Sequence, residues 1–348
     1  MTMRLLVDLG HPGHVHFYKH ALHAWRARGH EVQITVRAKD VTLALLDHYG
    51  FTYNTLSYAQ NTGRGRLREF IQREYALLRI ARTFRPDAIT AIGGAFIAPV
   101  GAITHIPALV FTDSEHVRID RVLTYPLATA VYTPYCFRRK AGPRHQRYRG
   151  FQELAYLHPD RFTPVPAVLD ALGLSAGEPY TVARFIAWDA AHDVGQTGFT
   201  VEQKRHLVEG LAARGRLFIS SPGELPSAWE RYRFPLGAEA LHDLLYYAAL
   251  VVSEGATTAA EAALLGTPAI YVASLVGTMG NFDALAQAGM MEAYREGHTG
   301  LARAMALLED PTAKAKAQMR QQVLLDTLID VTAYIIETVE TYARHTAM

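Results

Sequence analysis

The feature that most constrains this chain is a repeated unit: a short apolar run of strand-forming residues that ends in glycine and passes into a helical pattern. Leu5 to Leu9 is the first such run; Gly10, His11, Pro12 and Gly13 follow, and Val15 to Arg28 then reads as a helix closed by Gly29. Val32 to Val36 alternates as a second strand, and Val41 to Tyr49 reads as a helix stopped at Gly50. A long helix over Leu67 to Phe84 and strands at Ala88 to Ile92, Ala108 to Phe111 and Ala130 to Thr133 continue the rhythm. Strand and helix in alternation specify a parallel sheet, hence an α/β fold.

The rhythm restarts at Tyr180 to Ile186, with a helix around Val201 to Arg214 and a strand at Leu217 to Ser220 that ends in Ser221-Pro222-Gly223. Leu241 to Ala248 is helical, Leu250 to Ser253 a strand, Thr257 to Leu265 a helix stopped by Gly266, and Ala269 to Val272 a strand. A chain of 348 residues exceeds the size at which one hydrophobic core stops growing, about 250–300 residues, so two cores are expected. His158 to Pro166 holds three prolines and little periodicity, as a linker would. The expected division is an N-terminal domain over residues 1–158, a linker over 159–178 and a C-terminal domain over 179–312. The remaining residues, 313–348, form one helix from about Ala313 to Tyr342 that packs back across both domains.

Composition narrows the function classes. The net charge of +2 provides no global basic field, which argues against a nucleic-acid partner. The single cysteine, Cys136, cannot form an internal disulfide and has no evident activating neighbour. Met1 to Gly10 is too short for a signal-peptide core, and no apolar stretch is long enough to cross a bilayer. The expectation is a cytoplasmic protein. Arg64, Arg66, Arg68, Arg73, Arg79, Arg82 and Arg85 make one helix locally basic, with Leu67, Phe70, Ile71, Leu78 and Ala81 on one face. An ordinary amphipathic surface helix explains that pattern, and a peripheral contact with the inner face of the membrane is the rival.

Ligands of doubly wound sheets bind beyond the carboxyl ends of the strands, so the polar residues there are the first candidates. Ser253-Glu254-Gly255-Ala256-Thr257-Thr258-Ala259-Ala260-Glu261 joins a strand to a helix through small residues. Such a turn exposes the first helical N–H groups to an anion, and a diphosphate fits there. Glu261, about one turn in, is placed to accept bonds from ribose hydroxyls; the plainer reading makes Thr258 and Glu261 a capping box. Arg184 and His192, with Trp188, Asp189 and Asp193, follow a strand and could hold the same phosphates, unless Arg184 only pairs with one of the aspartates. Ser220, Ser221 and His242 are weaker candidates for that pocket.

In the N-terminal half, His11, Gly13, His14 and His16 form the first turn and helix start, and His14 is the leading candidate for a base of near-neutral pKa. The alternatives are a metal site, for which no matching ligand cluster is evident, and purely structural histidines. Asp113, Glu115 and His116 follow the strand ending at Phe111 and form a second acid–base candidate, with a helix N-cap backed by solvated charges as the bland alternative.

Gly10-His11-Pro12-Gly13-His14, Gly29-His30-Glu31-Val32, Gly255 to Thr258 with Glu261, and Gly266-Thr267-Pro268 resemble the glycosyltransferase-B superfamily. Within it, the characterised families most similar are the N-acetylglucosaminyltransferase of peptidoglycan synthesis, whose first turn is richer in glycine, and the non-hydrolysing UDP-N-acetylglucosamine 2-epimerase. Nearly the whole chain resembles a prokaryotic domain-of-unknown-function family, through Gly10 to His16, Thr112 to His116, Gly150 to Phe162, Arg184 to Val194, Ser220 to Pro226 and His242 to Pro268. The resemblance implies two Rossmann-like doubly wound domains facing a central cleft, the GT-B architecture. It also implies that Gly255, Ala256, Thr257, Thr258 and Glu261 hold the diphosphate and ribose of a nucleotide-sugar such as a UDP-sugar.

Three functions follow as expectations. The first is an inverting, metal-independent glycosyltransferase with no cofactor beyond its nucleoside-diphosphate sugar donor, acting on a glycan or lipid-linked acceptor held by the N-terminal domain. The second is a sugar-nucleotide 2-epimerase, and the third a non-catalytic nucleotide-sugar-binding protein.

Overall fold

The computed structural model describes residues 1–59, 63–115, 117, 119–175, 177–186 and 197–346. The chain forms two compact units, one of Met1–Arg161 with Ile329–Met348 and one of Phe162–Leu328.

The first unit is a seven-stranded parallel sheet: β1 (Arg4–Leu9), β2 (Glu31–Ala38), β3 (Asn54–Tyr58), β4 (Ala88–Ile92), β5 (Ala108–Phe111), β6 (Ala130–Pro134) and β7 (His145–Tyr148), in the order β3-β2-β1-β4-β5-β6-β7. The side chains of β1 alternate between two buried faces. Leu6 joins Ile89, Val110 and Val131 under the helices Gly63–Phe84 and Ile97–Thr104. The other face is aromatic: Phe17 of helix Pro12–Ala27 lies 5.5 Å from Phe111, which stacks 5.1 Å from Tyr132. Tyr334 of helix Val331–Thr346 completes this layer, 5.9 Å from Tyr132.

That last helix corrects the expectation of one continuous C-terminal helix. The chain forms helix Ala313–Leu325 in the second unit, breaks, and restarts as Val331–Thr346 in the first. Asp and Thr side chains offer the backbone alternatives to helical bonds, and both do so here. Thr327 Oγ1 donates to the Leu324 carbonyl at 2.8 Å, and Asp330 Oδ1 accepts the Ala333 N–H at 3.2 Å as a cap. Asp330 also pairs with Arg161 at 2.6 Å, fastening the returning chain to the point where it left the unit. Glu340, buried, takes Arg28 at 2.5 Å and Arg344 at 3.2 Å. Residues expected to be linker fold with the second unit: helix Ala167–Ala171 lies there, and the Val165 N–H donates to Asp243 at 2.7 Å.

The second unit is a five-stranded parallel sheet, β8 (Tyr180–Arg184), β9 (Arg216–Ser220), β10 (Leu250–Ser253), β11 (Ala269–Val272) and β12 (Glu292–Tyr294), in the order β12-β11-β10-β8-β9. Ala183, Ile219, Val252 and Ile270 pack with Leu207 and Leu211 of helix Val201–Ala212. The strands that the sequence pattern missed, β3, β7 and β12, are edge strands with few buried residues and no apolar run to read, unlike the fourth edge strand, β9, where Leu217 to Ser220 are buried. Strand order reverses between β1 and β4 in the first sheet and between β8 and β10 in the second. Among the described residues no helix is long and apolar enough to cross a membrane.

Helix Gly63–Phe84 buries only part of the face expected of it, with Ala81 in the core and Leu78 packed against it. Leu67, Ile71 and Tyr75 are exposed, while Arg73 turns inward to a buried ion pair with Asp8 at 2.7 Å, and Glu69 pairs with Arg37. Glu74, beside Arg73, has both carboxyl oxygens buried without a hydrogen-bond partner among the described residues. Burial first, and the Asp8 charge second, push its pKa from near 4.5 to about 7. A carboxyl raised by folding favours the folded state when protonated and opposes it as pH rises through the raised value. Glu74→Gln should therefore match wild type near pH 4 and be more stable at pH 8 by about 1–2 kcal/mol after discounting for solvent screening, as read by urea denaturation.

Candidate functional site

In the first unit, β1 ends at the switch point and delivers Gly10 to the start of helix Pro12–Ala27. His11 caps that helix, its Nδ1 accepting the Gly13 N–H at 3.1 Å, and Pro12 occupies the first helical position. His14 sits two residues further, half-buried, with Nδ1 accepting the Gly10 N–H at 3.1 Å. An Nδ1 that accepts leaves the proton of a neutral imidazole on Nε2. Burial, then the neighbouring His11, Arg73 and Lys39, hold the His14 pKa well below its usual value. With Nδ1 engaged by the Gly10 N–H, the group this position offers is the Nε2–H of a neutral ring.

His16 is not gathered with the other two. It is buried, 5.4 Å from the Tyr156 ring and 6.1 Å from Tyr49, and the His23 ring lies tilted against Phe51 at 4.5 Å. Among the described residues no three His, Cys, Asp or Glu side chains are grouped to hold a metal ion.

After β5, Thr112 leads into Asp113 and Glu115; His116 lies outside the described residues. No helix starts here, and Glu115 is buried, so the reading as a cap backed by solvated charges does not hold. Ser114 Oγ donates to Asp113 Oδ1 at 3.1 Å. Burial, the largest cause, and the Glu115 charge raise the Asp113 pKa. Glu115 is tied into the fold: its carboxylate accepts the Arg138 N–H, and its carbonyl accepts from Arg139 Nη1 at 3.0 Å. Cys136 has its thiol pushed up to about 12 by burial, which makes it a poor nucleophile.

In the second unit the switch point gathers most of the predicted donor residues. Arg184 ends β8 and donates from Nη1 to Ser220 Oγ, at the end of neighbouring β9, at 2.6 Å. After β10, Ser253 Oγ accepts the Gly255 N–H at 2.9 Å and donates to its carbonyl at 2.7 Å, which closes the turn. Helix Ala256–Leu264 then starts with Gly255 as N-cap and no side-chain cap. Thr258 is its third residue, so the capping-box reading fails. Thr257 is exposed and Thr258 buried in the first turn, where partial positive charge favours an anion. Glu261 is buried one turn on, and His242 Nε2 lies 3.2 Å from its Oε1. Ser221 lies past β9, half-buried, its carbonyl taking Arg233 Nη1 at 3.3 Å. His192, with Trp188, Asp189 and Asp193, lies outside the described residues.

Sequence reasoning did not single out Glu254, which proves to be the brace of this site. It is 1% exposed and accepts the N–H groups of Ile186 at 3.1 Å and Phe199 at 2.9 Å, with Lys204 Nζ at 3.0 Å. Its carboxylate thus holds both flanks of residues 187–196 against the end of β10. The close approach requires glycine at 198, because a Cβ there would lie 2.4 Å from Glu254 Oε1. A charged residue directly after a central strand, before glycine, was the signal available.

Solved structures share this fold over the whole chain. UDP-GlcNAc 2-epimerase from Neisseria meningitidis bound to UDP-GlcNAc superposes with a TM-score of 0.66 at 13% identity, over 97% of this chain and 100% of that one. An S. aureus MnaA–UDP co-structure gives 0.70 at 10% identity, over 99% and 97%. Spinosyn rhamnosyltransferase SpnG complexed with spinosyn aglycone gives 0.63 at 16%, over 97% and 100%. The fold is that of the GT-B glycosyltransferases and the UDP-GlcNAc 2-epimerases. Residues 3–184 match a family described as proteins of unknown function, DUF354, and this chain belongs to that family. The uncharacterized protein MJ0665 of Methanocaldococcus jannaschii is 23% identical over 134 residues, 38% of this chain, and the match spans 39% of the relative's length.

Glu254→Ala strips the partner from a mostly buried lysine and from two backbone donors. The expected loss of stability is about 2–4 kcal/mol, measured by urea unfolding followed by circular dichroism.

Proposed function

We propose that this chain is an inverting, metal-independent glycosyltransferase whose second unit holds a nucleoside-diphosphate sugar and whose first unit holds the acceptor. The observation that carries the reading is the assembly at the second switch point: an uncapped helix N-terminus, Arg184 anchored by Ser220, and Glu261 anchored by His242. Each suits one part of the donor. The helix start and Arg184 take the diphosphate, and Glu261 accepts from the ribose. The likeness in fold to an enzyme bound to UDP-GlcNAc and to a rhamnosyltransferase supports the same reading.

The chemistry follows from the tautomer of His14. Because its Nε2 donates, the proton acceptor in the first unit falls to Asp113, whose raised pKa makes it a better base than an ordinary carboxylate. The acceptor hydroxyl gives its proton to Asp113 while its oxygen bonds to the anomeric carbon. The bond from that carbon to the phosphate oxygen breaks, and the nucleoside diphosphate leaves with the electron pair. Arg184 and the helix N–H groups stabilise the departing charge, so the step needs no metal. Nε2–H of His14 orients the acceptor by a hydrogen bond.

The epimerase reading keeps a specific support, the fold likeness to the UDP-GlcNAc 2-epimerase from Neisseria meningitidis. Turnover of the nucleotide-sugar without any acceptor would establish it in place of transfer.

Calorimetric titration with UDP, GDP, CDP, dTDP and ADP tests the donor site. One diphosphate should bind, and Arg184→Ala or Glu261→Ala should weaken it at least tenfold; no binding of any would sink the proposal. In a transfer assay, His14→Gln keeps an N–H donor and should lose about tenfold less activity than His14→Ala, which forfeits a hydrogen bond that costs about 10²–10³ in rate. Equal losses in the two variants would return the role of base to His14.

A further inference from the structure

A cavity of 580 Å³ opens on the first unit between the segment after β5 and the turn that follows β6. Its volume falls within the range of about 300–1,000 Å³ usual for small-molecule sites. Arg121, Arg139 and Lys140 line it, and Glu115 is the one carboxylate among the lining residues. We propose that this basin binds a phosphate-bearing small molecule through Arg121, Arg139 and Lys140, and that this molecule is the acceptor; the second clause rests on the transferase reading, the first does not.

The walls are fixed to one another. Gly142 has φ +87°, and a Cβ there would lie 2.7 Å from the Tyr125 carbonyl oxygen, so only glycine lets the turn dock on Tyr125. Arg139 Nη1 donates to the Glu115 carbonyl at 3.0 Å, and the Arg138 N–H is taken by the Glu115 carboxylate. These bonds join the two segments into one rim.

Glu115 offsets part of the charge, and the lining stays net positive. Among the described residues neither Arg121 nor Lys140 forms an ion pair, and Arg139 spends one nitrogen on a neutral carbonyl. Three cations around one concavity repel each other and focus a positive field into it, which an anion relieves. Two guanidinium groups with one ammonium match a phosphate dianion, whose oxygens accept in forks. Tyr125, Pro126 and Pro143 supply an apolar wall for the carbon skeleton of the ligand, and burial raises the Tyr125 hydroxyl to about 12, which keeps it protonated and able to donate.

The test uses the full chain. Arg121 and Lys140 are exposed and their side chains make no hydrogen bond or ion pair among the described residues, so Arg121→Ala/Lys140→Ala should melt like wild type. Inorganic pyrophosphate and glucose 1-phosphate are titrated calorimetrically against wild type, Arg184→Ala and the double variant. Binding that survives Arg184→Ala, weakens with added salt and falls at least tenfold in the double variant supports the basin. Sedimentation with phosphatidylcholine vesicles, with and without phosphatidylglycerol, distinguishes the source of the phosphate. Loss of vesicle binding in the double variant supports a membrane-borne phosphate, and binding of glucose 1-phosphate alone supports a soluble one. No binding of any probe, or equal binding by wild type and double variant, overturns the proposal. Retained phosphate binding by a protein that binds no nucleoside diphosphate would overturn the transferase reading and leave the basin standing.

Discussion

Parallel pairing places every strand's carboxyl end on one edge of its sheet, and with it the start of every helix that follows. Strand order then selects where on that edge a ligand can enter, because neighbouring connections leave in opposite directions where the order reverses. In this protein the reversal lies between β1 and β4 in one unit and between β8 and β10 in the other. His14 stands just past the end of β1, and Arg184 and Glu254 stand at the ends of β8 and β10. The chemistry gathers where the hydrogen-bonded ladder leaves room for it.

Buried carboxylates keep those edges in shape. Asp8 holds Arg73 beneath Gly10, Glu254 takes two amides and a lysine, Glu115 joins two loops, and Glu340 seats the returning helix. Each has several donors, which is the condition under which a buried charge is tolerated. Glu74 breaks the pattern, with no donor among the described residues and a raised pKa, and its protonation state therefore bears on stability near neutral pH.

The central strands were readable because both of their faces are buried: Leu5 to Leu9 and Leu250 to Ser253 admit almost no polar residue. The edge strands β3, β7 and β12 were not, since Asn54, His145, Gln146, Arg147 and Glu292 face solvent or polar partners and leave no apolar pattern. The position of the candidate donor site was readable too, from Ser253 to Glu261 and from Arg184. Roles were less so. The proton of His14 is placed by the Gly10 amide, and no spacing in the sequence states which ring nitrogen that amide meets.

By itself the sequence determined two parallel-sheet units, their glycine-ended turns and the small-residue turn that starts a helix after β10, because these depend on local periodicity and on residues that are neighbours along the chain; that this helix start carries no side-chain cap was decided by the structure. Only the tertiary structure decided that the C-terminal helix breaks at 326–330 and rejoins the first unit, that His242 meets Glu261, and that Glu254 braces the flanks of 187–196. The Arg161–Asp330 pair that seats the returning helix, and the bonds of Glu261 and Glu254, join segments far apart in sequence, and a hydrogen bond or ion pair across such a distance leaves no periodic trace. Its partners are chosen by the packing of the sheet and helices that carry them.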